Sequence, residues 1–254
     1  MKKLLVIVIV ILISGFAYAG QGSGGHGDAG HAVHWGYTGH LGPEHWGKLS
    51  HDFSACSEGK NQSPINLAGF IESELKPIEV HYEAGGNEII NNGHTIQVNF
   101  IPGSKISFDG REFELKQYHF HAPSENHING ESYPMEVHLV HADPAGNLAV
   151  VAVMFVEGET NTSLASVWSF MPGIEGGKQD MPSGVSAEGI LPANRHYYRF
   201  NGSLTTPPCS EGVLWIVMKE SVTASKDQIE KFAKVMQHPN NRPIQEINAR
   251  AVLQ

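Results

Sequence analysis

A large, twisted, mostly antiparallel β-sheet with a few short peripheral helices is predicted for this chain (mainly β, or α+β where the helices are counted). Three observations predict it: short segments of alternating apolar and polar residues recur, turn residues separate them, and only one segment shows a clear helical stripe. Residues 95–100 (TIQVNF) alternate with the period of a half-buried strand. Ile106 and Phe108 mirror Phe113 and Leu115 across Asp109-Gly110, a two-residue turn suited to a hairpin. Further strands are expected over residues 78–82, 117–121, 136–141, 148–155, 197–200 and 213–218. The helix is expected to begin at Ser225, with Gln228 three residues on as its capping partner and Ile229, Phe232, Ala233 and Met236 as its apolar stripe.

At 254 residues, 41% hydrophobic and 17% charged, with a mean hydropathy of -0.21, the chain is neither disordered over most of its length nor a polytopic membrane protein. A net charge of -9 and a pI near 5.9 exclude nucleic acid as the expected partner. Histidine stands out, with 15 residues against 17 Lys and Arg together, which points to metal binding or proton chemistry.

Lys2 and Lys3 precede an apolar run from Leu4 to Ile13, and Ala17-Tyr18-Ala19 is an A-x-A cleavage pattern before Gly20. Residues 1–19 are therefore expected to be a cleaved export signal, which places the mature chain in the periplasm or outside the cell. The apolar run is shorter than the roughly 20 residues of a bilayer-spanning helix, so no permanent membrane anchor is expected. Residues 20–33 are expected to form a flexible Gly/His-rich leader, in which His26 and His31 are either loose metal ligands or solvated side chains; one domain should follow over 34–254. Export bears on Cys56 and Cys209 as well. In an oxidising compartment they are expected to pair, the alternative being two free buried thiols.

Residues 117–121 read QYHFH, and in a strand His119 and His121 share a face while Phe120 takes the other. A loop leads to a second strand, 135–141 (MEVHLVH). If the two pair antiparallel, His138 reaches the same side, with Glu136 and Gln117 each two residues before a histidine and placed to accept from its ring. An H-x-H pair arises about once by chance at this histidine content, so the pair alone reads as half-buried strand histidines. The third histidine raises the metal reading. Three neutral imidazoles would leave zinc its full charge and a free fourth position, lowering the pKa of a bound water to about 7.

The segments 34–37 (HWGY), 62–66 (QSPIN), 91–94 (NNGH), 117–121 (QYHFH), 136–141 (EVHLVH) and 202–208 (GSLTTPP) occur in the order found in α-class carbonic anhydrases. From about His34 to the C-terminus the chain resembles that family in its bacterial, exported form. The resemblance implies reversible hydration of carbon dioxide to bicarbonate and a proton, one Zn2+ held by His119, His121 and His138, and Gln117 and Glu136 as their supporting acceptors. It implies that Thr205 orients the zinc-bound hydroxide and donates to Glu125, and that His94 is the proton shuttle. Without it, Thr205 and Thr206 read as turn residues, Glu125 as a surface acid and His94 as a loop histidine. It also implies an apolar wall of Val140, Val150, Leu204, Val213 and Trp215 where carbon dioxide rests. The polar side would be Gln97, Tyr37 and Thr206, and Cys56–Cys209 would be an intrachain disulfide. Anions and sulfonamides are the inhibitors it implies. Relatives of this type are often homodimers, though no interface is legible here. If His94 does not carry the proton, His40, His45 and His31 are the next candidates. Asn126 departs from the histidine that many relatives carry after the glutamate, and a short loop between His121 and His138 implies an open rim. Two other function classes fit parts of the chain: a non-catalytic binding protein on the same scaffold, which would be expected to lack a ligand histidine, and a metal-sequestering protein built on the leader.

Overall fold

The computed structural model describes residues 33–254 except Ala84; the expected signal segment and residues 20–32 of the leader, with His26 and His31, lie outside the described residues. In chain order the regular elements are α1 (Trp46–Leu49), α2 (Ala55–Glu58), β1 (Asn66–Leu67), β2 (Glu79–His81), β3 (Gly86–Asn91), β4 (Ile96–Phe100), β5 (Lys105–Phe108), β6 (Arg111–His121), β7 (His127–Ile128), β8 (Met135–Ala142) and β9 (Leu148–Glu157). There follow α3 (Thr162–Trp168), β10 (Lys178–Val185), β11 (Tyr197–Ser203), β12 (Glu211–Met218), β13 (Val222–Ala224) and α4 (Lys226–Met236). Among the described residues these build an 11-stranded sheet ordered β10-β3-β4-β6-β8-β9-β12-β11, with β2, β5 and β13 off that path. Its pairings are antiparallel except β9 with β12 and β9 with β13. The large, mostly antiparallel sheet with few helices is thus what forms.

The hairpin forms as its sequence predicts. Asp109 and Gly110 both take positive φ, and Ile106 pairs with Phe113 across the ladder. Residues 117–121 are the end of the long β6 rather than a strand of their own. The helix starts at Ser225 with a reciprocal capping box to Gln228. Its stripe differs from expectation in one place: Ala233 is exposed, and the buried positions are Gln228, Phe232 and Met236. Gln228 turns inward because its amide bridges the α4 cap to Asn161, both accepting from and donating to that residue's backbone. Strands β3 and β10 have no sequence signal. β3 does not alternate, and β10 holds proline and glycine, which a sheet tolerates at the edge where β10 lies.

One irregularity positions the site. Phe113, Leu115, Tyr118 and Phe120 all enter the main core although their spacing changes parity. A break in register between Leu115 and Gln117 leaves Lys116 as an extra residue and resets the phase of β6. Beyond it the even residues Tyr118 and Phe120 face the core, where Phe120 packs edge-on against Trp168. Gln117, His119 and His121 are thereby turned to the opposite face. A second apolar cluster covers part of that face, including Val150, Ala152, Met154, Val213 and Trp215.

Candidate metal centre

Register sets the three histidines together. His119 lies directly opposite His138 in the β6–β8 ladder, and His121 lies opposite Glu136. Each ring is then oriented by one fixed acceptor. His119 Nδ1 is 2.8 Å from Gln117 Oε1, and His121 Nδ1 is 2.7 Å from the carbonyl oxygen of Asn240. Both acceptors are oxygens without a proton, so Nδ1 donates and Nε2 keeps its lone pair. His138 is turned the other way: its Nε2 stands 2.9 Å from Glu136 Oε1, within ion-pair distance but out of hydrogen-bond alignment, leaving Nδ1 toward the other two rings. One ring nitrogen from each histidine falls within 4.8 Å of the others.

Electrostatics keep the trio neutral. Burial pushes the pKa of His119 and His138 well below the usual imidazole value, and the neighbouring imidazoles add to it. Burial lowers that of His121 too, against the opposing pull of the Asn240 carbonyl and Glu136. His121 and His138 are 1% exposed, and His121 Nε2 has no hydrogen-bond partner in the protein. A buried lone pair with no donor is costly.

Two fully buried carboxylates flank the rings. Glu136 accepts from the backbone N–H groups of Glu125 and Asn126 at 2.7 and 2.9 Å, and from Asn126 Nδ2 at 2.8 Å. The residue that departs from the family pattern thus grips the acceptor beside His138. Glu125 Oε2 lies 3.4 Å from His121 Nε2 and 3.8 Å from His138 Nδ1. Burial pushes the Glu125 carboxyl up to about 8, opposed by the Arg242 N–H, which donates to Oε1 at 2.8 Å, and by the Thr205 hydroxyl. Thr205 belongs to the turn between β11 and β12. Cys209 N donates to Thr206 O in that turn, and the Cys56–Cys209 disulfide ties it to α2. Gly202 is required just before it, because a Cβ there would lie 2.1 Å from Ser63 Oγ. Ser63 Oγ accepts from Ser203 N, and Ser203 Oγ accepts from Ser63 N, so the segments 62–66 and 202–208 lock together.

The expected apolar wall is contiguous for three of its members. Val140 pairs with Val150, Val150 with Trp215, and the Trp215 ring sits edge-on to His138 with centroids 4.9 Å apart. Val213 and Leu204 join the same cluster. Gln97 pairs with His119 across β4 and β6 and donates to Asn99. Burial holds the Tyr37 hydroxyl well above its ordinary value, with the Glu125 charge adding to it. His94 lies in the β3–β4 turn and is part-buried: its ring stacks on Trp35 at 3.7 Å, and burial with the charges of His34 and His238 lowers its pKa to about 4. Among the described residues, His34, with a ring centroid at 6.5 Å, and His238 are the imidazoles whose charges act on it.

Sequence reasoning noted Asn126 only as a departure from the family pattern and missed Asn240 and Arg242. Besides holding His121, Asn240 accepts from Ala122 N and donates through Nδ2 to the carbonyls of His94 and Phe120. The Arg242 guanidinium, 1% exposed as a residue, donates to Gln62 Oε1, Ser63 O and Cys56 O. A pair of asparagines before Arg242-Pro243 gave only a turn signal.

A buried trio of neutral imidazoles with a partnerless lone pair and a convergent set of nitrogens suits a divalent cation that takes nitrogen ligands in an open tetrahedral site. The family model described as eukaryotic-type carbonic anhydrase matches residues 41–254. A carbonic anhydrase of Pectobacterium carotovorum is 50% identical over 222 residues, covering 87% of this chain and 91% of that one. Among solved structures, an α-carbonic anhydrase of Thermovibrio ammonificans in complex with the inhibitor sulfanilamide is 49% identical with a TM-score of 0.87, over 88% of this chain and 100% of that one. A hyperthermostable carbonic anhydrase from a hydrothermal vent chimney is 51% identical with a TM-score of 0.85, over 87% and 99%. With its motifs in order and its three histidines converging, the chain belongs to the α-type carbonic anhydrases.

Proposed function

We propose that this carbonic anhydrase hydrates carbon dioxide with a single zinc ion held by His119 Nε2, His121 Nε2 and His138 Nδ1. The observation that carries the reading is the set of three neutral ring nitrogens within 4.8 Å of one another, one of them buried with no partner in the protein. Bound there, zinc supplies hydroxide at neutral pH by lowering the pKa of a coordinated water to about 7.

The chain's own residues do the rest. Gln117, the Asn240 carbonyl and Glu136 hold the rings so that their lone pairs converge. The Thr205 hydroxyl donates a hydrogen bond to Glu125, which leaves its oxygen as an acceptor for the attacking oxygen's hydrogen and aims that oxygen's lone pair at carbon. This needs Glu125 ionised: burial opposes that form, while the Arg242 N–H and the positive charge of a cation bound beside it would favour it. Val140, Val150, Leu204, Val213 and Trp215 offer carbon dioxide an apolar wall that does not compete for hydrogen bonds. Thr206, Gln97 and Tyr37 order the waters that replace bicarbonate, and His94 takes up the proton. Sulfonamides bind at the same centre, as the Thermovibrio relative's complex supports. The chain acts in the periplasm or outside the cell after loss of residues 1–19.

Stopped-flow hydration by wild type and Thr205→Val tests the reading. We expect Thr205→Val to keep its zinc and lose about 10- to 100-fold in kcat/KM. Full activity in Thr205→Val would contradict the orienting role, and no hydration by the zinc-loaded wild type would contradict the function.

A further inference from the structure

Hydration converts carbon dioxide and water into bicarbonate and a proton, and on the function proposed above that proton must leave the metal centre at every turnover. Three imidazoles outside that centre gather at Trp35 and Tyr37. His94 lies flat on Trp35 with the planes 7° from parallel, and its ring is 6.5 Å from that of His34. Tyr37 has the His94 ring at 6.4 Å on one side and the His238 ring at 6.1 Å on another.

His238 reaches this place by a short route. It follows the left-handed cap of α4 at Gln237 and precedes Asn240 by two residues. The Asn240 side chain holds the His94 carbonyl and its own carbonyl holds the His121 ring, so one strap ties His238 to both. His238 Nδ1 lies 3.0 Å from the carbonyl of Pro239, which only accepts, so Nδ1 carries the hydrogen and Nε2 keeps a lone pair. The ring is only part-buried. Burial and its charged neighbours hold His94 near 4, where it rarely keeps a proton at neutral pH, so a second imidazole on the same strap has a role to fill.

We propose that His238 is a second proton acceptor of this enzyme, working in alternation with His94. A proton arriving through water binds Nε2 and makes the imidazolium; a buffer base removes it and restores the neutral ring, so nothing else is consumed. Because the charges of His94 and His238 oppose each other, the two rings take the proton in turn rather than together.

The test uses zinc-loaded enzyme: wild type, His94→Ala, His238→Gln and the double variant, with kcat and kcat/KM for hydration measured in a weak, bulky buffer. His238→Gln keeps a polar side chain, and His238→Ala is a second variant should it misfold. In the His94→Ala background we expect loss of His238 to lower kcat by about a further threefold or more. We expect kcat/KM and zinc content to hold, and added imidazole to restore the lost kcat. Unchanged kcat in both backgrounds overturns the proposal. A parallel fall in kcat/KM and zinc content also overturns it, because His238 would then only support Asn240. Absence of hydration by wild type would instead remove the function on which the proposal rests.

Discussion

Two groups of three histidines in this molecule are built on opposite principles. His119, His121 and His138 stand on adjacent strands, where ladder register fixes their backbones and one oxygen fixes each ring. His34, His94 and His238 come from the N-terminal segment, the β3–β4 turn and the strap after α4, and they gather around Trp35 and Tyr37, with His238 also held by the Pro239 carbonyl. The first arrangement gives rigidity, as an ion that needs convergent lone pairs requires. The second holds its rings on separate loops rather than on one ladder, which suits the proton traffic proposed for them.

Breaking the first trio should have the largest effect. His121→Ala removes one nitrogen and opens a second position, so tight zinc and hydration should fall together by about a thousandfold or more. Metal analysis beside stopped-flow rates checks this, and one tight zinc with normal hydration would contradict the assignment of ligands.

The disulfide anchors the turn carrying Thr205 without touching the rings. Replacing Cys56 and Cys209 by serine should cost about 2–5 kcal/mol in denaturant unfolding while zinc stays bound. Loss of zinc in that variant at unchanged stability would place the disulfide inside the metal centre instead.

His141 is the control, an imidazole on β8 that faces away from the site. It is fully buried, with Nε2 2.7 Å from the Tyr82 hydroxyl, and burial lowers its pKa to about 4. Its folded pKa lies below the ordinary value of about 6.5, so the unfolded chain binds the proton first. Its share of stability is complete above pH about 6.5 and is lost as pH falls toward 4, about 3 kcal/mol in all. Urea unfolding of the metal-free protein at pH 7.5 and 4.5 should therefore show a shallower pH dependence in His141→Gln than in wild type. Equal slopes would mean that His141 is not held neutral by burial.

The smallest effect belongs to the second group. His94→Ala should lower kcat several-fold, leave kcat/KM nearly unchanged, and recover with imidazole buffer. A parallel fall in kcat/KM would move His94 into the substrate site.

The same contrast explains what the sequence discloses. Histidines at i and i+2 on one strand and a third on the next can be read from alternation, and so can the supporting Gln117 and Glu136. The bulge at Lys116 that turns them to the right face cannot, because it shows only as a change of parity between Leu115 and Tyr118. Asn240 and Arg242 act through backbone carbonyls, a backbone N–H and contacts well over a hundred residues away, which no local pattern encodes. The burial of His94 follows from Trp35, a partner 59 positions away in the chain, and its turn motif reads the same whether the ring is free or stacked. The edge strand β10 hides for a related reason, since pairing with β3 makes a strand of residues whose own preference is a loop.

On the proposed function, hydration depends on one zinc held by His119, His121 and His138. The most direct test is to strip the protein with a zinc chelator, measure stopped-flow carbon dioxide hydration, and titrate zinc back while following both bound metal and rate. Hydration should vanish on stripping and return in proportion to zinc, reaching its full value at one ion per chain. Undiminished hydration by the stripped protein, or recovery only after several zinc ions have bound, would contradict that dependence.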